Sequence, residues 1–264
     1  MRRDVLELRQ FYATSLGRVA REMIGRKVEE AWGDAAGLDV LAVGYGTPFL
    51  ESRRGIARRT LAVMPAAQGV EFWPVEGPNL ACLADDAALP FANALFDRVL
   101  LVHALEESDD PSALLKEVWR VMAPTGRVII AAANRRGFWS NAEATPFGHG
   151  RPYTRRQLES LVRDAELEPV AWSRALYVPP VAWMARWAEG FEQMGAWVWP
   201  MMSGVVLMEA VKQTFAVKPR GARAPVRVFA PPVLQPAAAG MAPEIKAPDD
   251  FETGARLALG PDAA

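Results

Sequence analysis

The chain has 264 residues, enough to bury a full core in one domain with additions. Its 30 lysines and arginines nearly balance 31 aspartates and glutamates, so no global field draws it to nucleic acid and no nucleic-acid partner is expected. The lone Cys82 excludes an intrachain disulfide and a cysteine-rich metal site and fits a reducing, cytoplasmic setting.

Residues 4–32 read as one or two amphipathic helices, with Val5, Leu8, Leu16, Val19, Met23 and Ile24 recurring at three- and four-residue steps. The charged start is followed by no long apolar run, which is not the pattern of a secretory signal. Short apolar runs then alternate with helical patterns: residues 38–43, 60–63, 79–83, 98–102 and 127–132. That rhythm predicts a mostly parallel sheet with crossover helices, and continuous apolar runs predict helices on both faces.

The first run leads into Gly44-Tyr45-Gly46-Thr47-Pro48. Glycines at a strand-to-helix turn let backbone approach a ligand, and a threonine followed by proline suits a helix start. A dinucleotide fingerprint would need glycine where Phe49 stands, which counts against a nicotinamide dehydrogenase. Asp110-Pro111 opens a helix that Pro124-Thr125-Gly126 stops, and Leu114, Leu115, Val118 and Val121 form its buried stripe. His103 and the loop from Asn134 leave the carboxyl ends of strands, where open α/β sheets bind ligands. His103 is the candidate general base, and Glu106 and Glu107 beside it read as a solvated helix approach. Residues 145–153 form a long aromatic and cationic connection, a candidate substrate lid carrying His149 and Tyr153; with Asn134 these are the candidate substrate contacts. Thr154 and Gln157 have capping-box spacing.

Strands are expected near 169–176 and 204–211, with a helix from about Val181 to Met194 between them. Five of nine tryptophans lie from Trp172 to Trp199, an apolar excess that serves core packing, a hydrophobic substrate wall, a dimer contact or a peripheral membrane contact through 183–199. The most apolar window, 196–211, contains Pro200 and Glu209 and is shorter than the roughly 20 residues of a membrane span. Residues 218–264, rich in proline and alanine, read as a mostly disordered tail. The domain plan is therefore a helical segment at 1–33, an α/β domain at 34–217 with a helical insertion near 180–200, and the tail. No His/Cys/Asp/Glu cluster has metal-ligand spacing and no Gly-x-Ser-x-Gly elbow occurs, so no metal site or serine-hydrolase mechanism is expected.

One stretch is more specific. An acid before Leu89-Pro90-Phe91, a Phe96-Asp97 strand ending near His103, a helix of the Leu-Leu-Lys-Glu-Val-Trp-Arg-Val-Met type and a Pro-Thr-Gly-Arg strand resemble the small-molecule branch of class I S-adenosylmethionine-dependent methyltransferases, over about residues 38–134. The resemblance implies a Rossmann-like, mostly parallel seven-stranded sheet, S-adenosylmethionine as cofactor, and methyl transfer to a small or hydrophobic acceptor. It places Gly44, Tyr45 and Gly46 against the methionine part of the cofactor and Asp85, with Asp86, at the adenine. It puts Met64 at the strand end where the family carries an acid for the ribose hydroxyls, leaving Glu71 or Glu76 as possible substitutes. Ala42 and Pro48 are further departures. They support the alternative expectation, a catalytically inactive protein that keeps the fold as a binding or interaction module.

Overall fold

The computed structural model describes residues 3–212 and 227–228, and these belong to one compact unit, Met1–Ala230. Seven strands, β1 (Asp39–Gly44), β2 (Arg59–Pro65), β3 (Ala81–Ala84), β4 (Phe96–Val102), β5 (Met122–Ala133), β6 (Leu167–Ala175) and β7 (Val205–Lys212), match the expected runs to within a few residues. An eighth, β8 (Arg227–Val228), adds to the edge in the order β3-β2-β1-β4-β5-β7-β6-β8. Pairing is parallel except where β7 runs antiparallel to β5 and β6. The two residues of β8 fall inside the segment read as a disordered tail; the rest of that segment lies outside the described residues.

Period-two alternation sorts the strand side chains to two cores. Val40, Ala42, Leu100, Val102, Ile129 and Ala131 face one, and Leu41, Val43, Val99, Leu101, Val128 and Ile130 face the other. The second core is covered by α4 (Pro111–Val121) and α5 (Arg155–Asp164), each held at its start as its sequence implies. Asp110 accepts from the Ser112 and Ala113 amides, and Thr154 and Gln157 form the reciprocal capping box.

The first core has a different cover. The β1–β2 connection holds only α3 (Thr47–Leu50) and a 3-10 turn at Glu51–Arg53, and the β2–β3 connection holds no helix. Gly69, Pro74, Gly77 and Pro78 interrupt that connection and break the helix its place in the alternation predicts. The N-terminal helices α1 (Val5–Ala13) and α2 (Ser15–Trp32) supply the missing layer and pack into the same core as the sheet. Their corner is tight. Thr14 Oγ1 accepts from the Gly17 amide at 3.0 Å, and a Cβ on Gly17 would lie 2.0 Å from the Phe11 carbonyl oxygen.

Between β6 and β7 the expected single helix is divided into a 3-10 stretch, Ala182–Trp187, and α6 (Ala188–Val198). No side chain caps the start of the 3-10 stretch, and the chain enters it directly from Pro179-Pro180, which provide no amide to continue a helix.

Candidate functional site

Gly44, His103 and Asn134 all leave the carboxyl edge of the sheet, from β1, β4 and β5. Gly44 has φ +87, and a Cβ there would lie 2.2 Å from the Val102 carbonyl oxygen, while one on Gly46 would lie 2.5 Å from Ala42 Cβ. Both glycines are thus required by contact with the protein's own strands. The Tyr45 amide donates to Val102 O at 2.9 Å, which closes the loop onto β4.

Helix α1 delivers Tyr12 onto this loop. The Tyr12 ring stacks on Tyr45, with centroids 5.6 Å apart and planes 23° apart, and meets Phe49 edge-on at 5.7 Å. Its hydroxyl lies 2.8 Å from His103 Nε2. Phe147 packs on His103 at 4.7 Å, on Trp139 at 5.4 Å and on Phe11 at 6.2 Å. Tyr12, Tyr45, His103 and Phe147 are all buried. Met64 at the end of β2 is fully buried in the same core, with Trp73 of the β2–β3 connection.

Burial sets the protonation of this cluster. It pushes the His103 imidazole down from 6.5 to about 3, with the Arg3 charge adding to the effect. Burial also holds the Tyr12 phenol well above its ordinary value, and burial together with the Glu71 carboxylate raises Tyr45. His103 is therefore neutral at physiological pH, and the Tyr12 phenol can donate to its free nitrogen. Burial thus makes His103 a weak base, and its Nε2 is engaged by the Tyr12 hydroxyl.

The other candidates are distributed around this core. Glu71 accepts from Thr47 Oγ1 at 3.2 Å, which brings one carboxylate from the β2–β3 connection to the glycine loop. Asp85 is exposed and accepts from the Ala87 amide at 2.9 Å in a tight turn; Asp86 accepts from Ser108 Oγ at 2.9 Å. Asn134 donates to the carbonyls of Met201 and Ser203 at 3.1 and 2.8 Å and ties β5 to the entry of β7. Tyr153 donates to Leu105 O at 3.3 Å, and its amide to Ala133 O at 2.9 Å. His149 Nε2 contacts the Glu143 carbonyl at 2.7 Å and the Arg3 guanidinium. The expected lid is thus seated on the sheet edge, with Phe147 as its buried anchor.

Glu106 and Glu107 do not form a solvated helix approach. Glu106 is buried and accepts from the Ala133 amide at 2.8 Å, and Glu107 accepts from the Arg3 amide at 2.7 Å. A buried carboxylate satisfied by backbone amides costs less than an unpaired one, which explains how it resides there.

The order of the strands, the antiparallel β7 and the glycine turn after β1 define the class I methyltransferase fold. Residues 38–130 match the family model described as a methyltransferase domain. The chain is similar to a Thermotoga maritima S-adenosylmethionine-dependent methyltransferase described as a possible histamine N-methyltransferase, with a TM-score of 0.56 and 18% identity over 79% of this chain and 96% of that one. It is also similar in fold to the [4+2]-cyclase SpnF, with a TM-score of 0.51 and 19% identity over 73% of this chain and 80% of that one. In sequence it is 30% identical over 147 residues to an uncharacterized protein of Mycobacterium tuberculosis, covering 53% of this chain and 50% of that one. The chain thus spans about half the length of the curated relatives it matches.

Helix α1 is seated against the glycine loop through the contact of Tyr12 with Tyr45. The rings of Tyr12 and Tyr45 are stacked at the glycine loop, the Met64 thioether at the end of β2 is buried, and a Cβ on either loop glycine would meet the protein's own strands. The Glu71 carboxylate beside Thr47 is a polar group at the same loop.

Proposed function

We propose that this protein transfers a methyl group from S-adenosylmethionine to a hydrophobic small molecule in the cytoplasm, and that it does so only from a conformation in which Tyr12 has left the glycine loop. The methyltransferase domain at residues 38–130 supports the reaction class. The observation that carries the gated form of the reading is the Tyr12–Tyr45–His103 stack at the carboxyl edge of β1 and β4. Burying one aromatic ring contributes about 2–3 kcal/mol, the stack about 1 and the hydrogen bond about 1. A competing cofactor has to overcome that sum, about 4–5 kcal/mol, which lowers its apparent affinity by on the order of a thousandfold.

The acceptor reading rests on the Trp-rich segment after β6, which borders the same edge of the sheet. Attack on a sulfonium methyl needs mainly positioning, so a neutral His103 does not count against it. A second reading, a non-catalytic binding module on the same fold, is favoured by the filled loop and by Met64. The fold supports more than one chemistry, as the [4+2]-cyclase illustrates.

Calorimetric titration of the full chain and of Tyr12→Ala with S-adenosylmethionine and S-adenosylhomocysteine separates the readings. Methyl transfer predicts binding of both compounds, tighter by on the order of a thousandfold in Tyr12→Ala. Absence of binding by either protein at millimolar ligand overturns it and leaves the binding module.

A further inference from the structure

The segment between β6 and β7 leaves and re-enters the sheet beside Asn134, because Val205 pairs with both Ala133 and Ala175. Its inward side is well fixed. Ala185, Ala188 and Gly195 are buried, a Cβ on Gly195 would collide with the Tyr177 ring at 2.5–2.9 Å, and Glu192 accepts from the Leu176 and Tyr177 amides. The outward side is fixed with it, and that side is apolar. Trp183 is 62% exposed, Trp197 86% and Met194 52%, with Trp187, Val198 and Met201 also exposed. Within α6 and its flank, Trp187, Met194 and Val198 follow at seven and four residues and so share one helix face. Phe138 is exposed on the neighbouring loop, which packs on this segment where Gly137 meets Ser203.

Among the described residues, the charges at this face that lack an ion-pair partner are cationic. Of the charged residues between 176 and 204, Glu189 is paired with Arg26 at 2.7 Å and Glu192 is turned inward. Arg186 lies over the Trp187 ring at 4.1 Å, and exposed Arg135 and Arg136 precede Phe138; none of the three enters an ion pair among the described residues. We propose that this Trp-rich face docks on an anionic lipid bilayer, with the indoles and Met194 entering the headgroup region and Arg135, Arg136 and Arg186 meeting lipid phosphates.

Indoles combine an apolar body with an N–H that headgroups can satisfy, and they concentrate at membrane interfaces for that reason. The 11 residues of α6 are too few to cross a bilayer but suffice to lie in its surface. Among the described residues no helix is long and apolar enough to cross one. A second copy fits less well. A twofold interface sets the patch against itself, which brings the guanidinium groups of both copies to one apolar contact without acidic partners. If methyl transfer is correct, docking here presents a membrane-soluble acceptor to the carboxyl edge, but the docking itself does not depend on that reading.

Flotation of the full chain with phosphatidylcholine vesicles, with and without phosphatidylglycerol, tests the proposal. Binding is expected only when phosphatidylglycerol is present, with a blue shift of tryptophan fluorescence. Trp183→Ser with Trp197→Ser should reduce binding more than tenfold at an unchanged melting temperature, since both side chains are exposed. Arg135→Glu with Arg136→Glu should reduce binding to the phosphatidylglycerol vesicles more than tenfold. Failure to bind the anionic vesicles overturns the proposal, as does binding that the tryptophan substitutions leave intact. A concentration-dependent dimer that those substitutions abolish, without vesicle binding, assigns the face to a second copy instead.

Discussion

Tyr12 and His103 stabilise each other as neutral groups: each is buried, each is shifted toward its uncharged form, and they share one hydrogen bond. The shift has a measurable consequence for acid stability. The native imidazole takes a proton only near 3, whereas the unfolded chain takes one near 6.5. Between those values the unfolded state binds more protons, so His103 contributes stability that is present above pH 6.5 and lost as pH falls toward 3. The slope from this one group is about 1.4 kcal/mol per pH unit. His103 has φ 51, a conformation asparagine tolerates. Urea denaturation of wild type and His103→Asn across that window should therefore show a shallower loss in the variant; parallel slopes would mean that the imidazole is not held neutral.

Position along the chain was enough to place His103, Asn134 and the glycine loop at one edge, because each follows an apolar run that forms a strand. Tyr12 carries no comparable local signal. It reads as one more apolar position in an amphipathic helix, and its partners Tyr45 and His103 stand 33 and 91 residues away in the chain. The resemblance to methyltransferases aims Tyr45 at a cofactor, and only the packing of α1 shows what its ring touches here.

At the scale of elements, the N-terminal helices do the work that crossover helices do on the opposite face. Helices whose boundaries rest on local chemistry were legible: α4 with its Asp-Pro start and α5 with its capping box. The helix-free β2–β3 connection and the split before α6 were not, since alternation predicts an element in the slot whatever residues fill it. The α1–α2 corner is the hinge on which Tyr12 depends. Gly17→Ala would drive a Cβ into the Phe11 carbonyl, with backbone rather than a flexible side chain in the way. A loss of about 1–3 kcal/mol is expected in urea denaturation. Gly25→Ala, in the same helix with nothing within 4 Å, should instead be neutral or stabilise by up to about 1 kcal/mol. Equal effects of the two substitutions would show that the corner is looser than its contacts imply.

As a whole, the molecule combines a class I methyltransferase sheet with a carboxyl edge closed by its own first helix. The sheet has the class I order with its antiparallel β7, and the residue 38–130 match lies within it. Tyr12 and Phe147 close that edge, and under the proposed function cofactor affinity becomes a competition with α1. Amide hydrogen exchange over Val5–Ala13, with and without saturating S-adenosylhomocysteine, tests that competition most directly. The account predicts faster exchange across α1 when the ligand is bound; ligand bound with α1 as protected as in the free protein would contradict it.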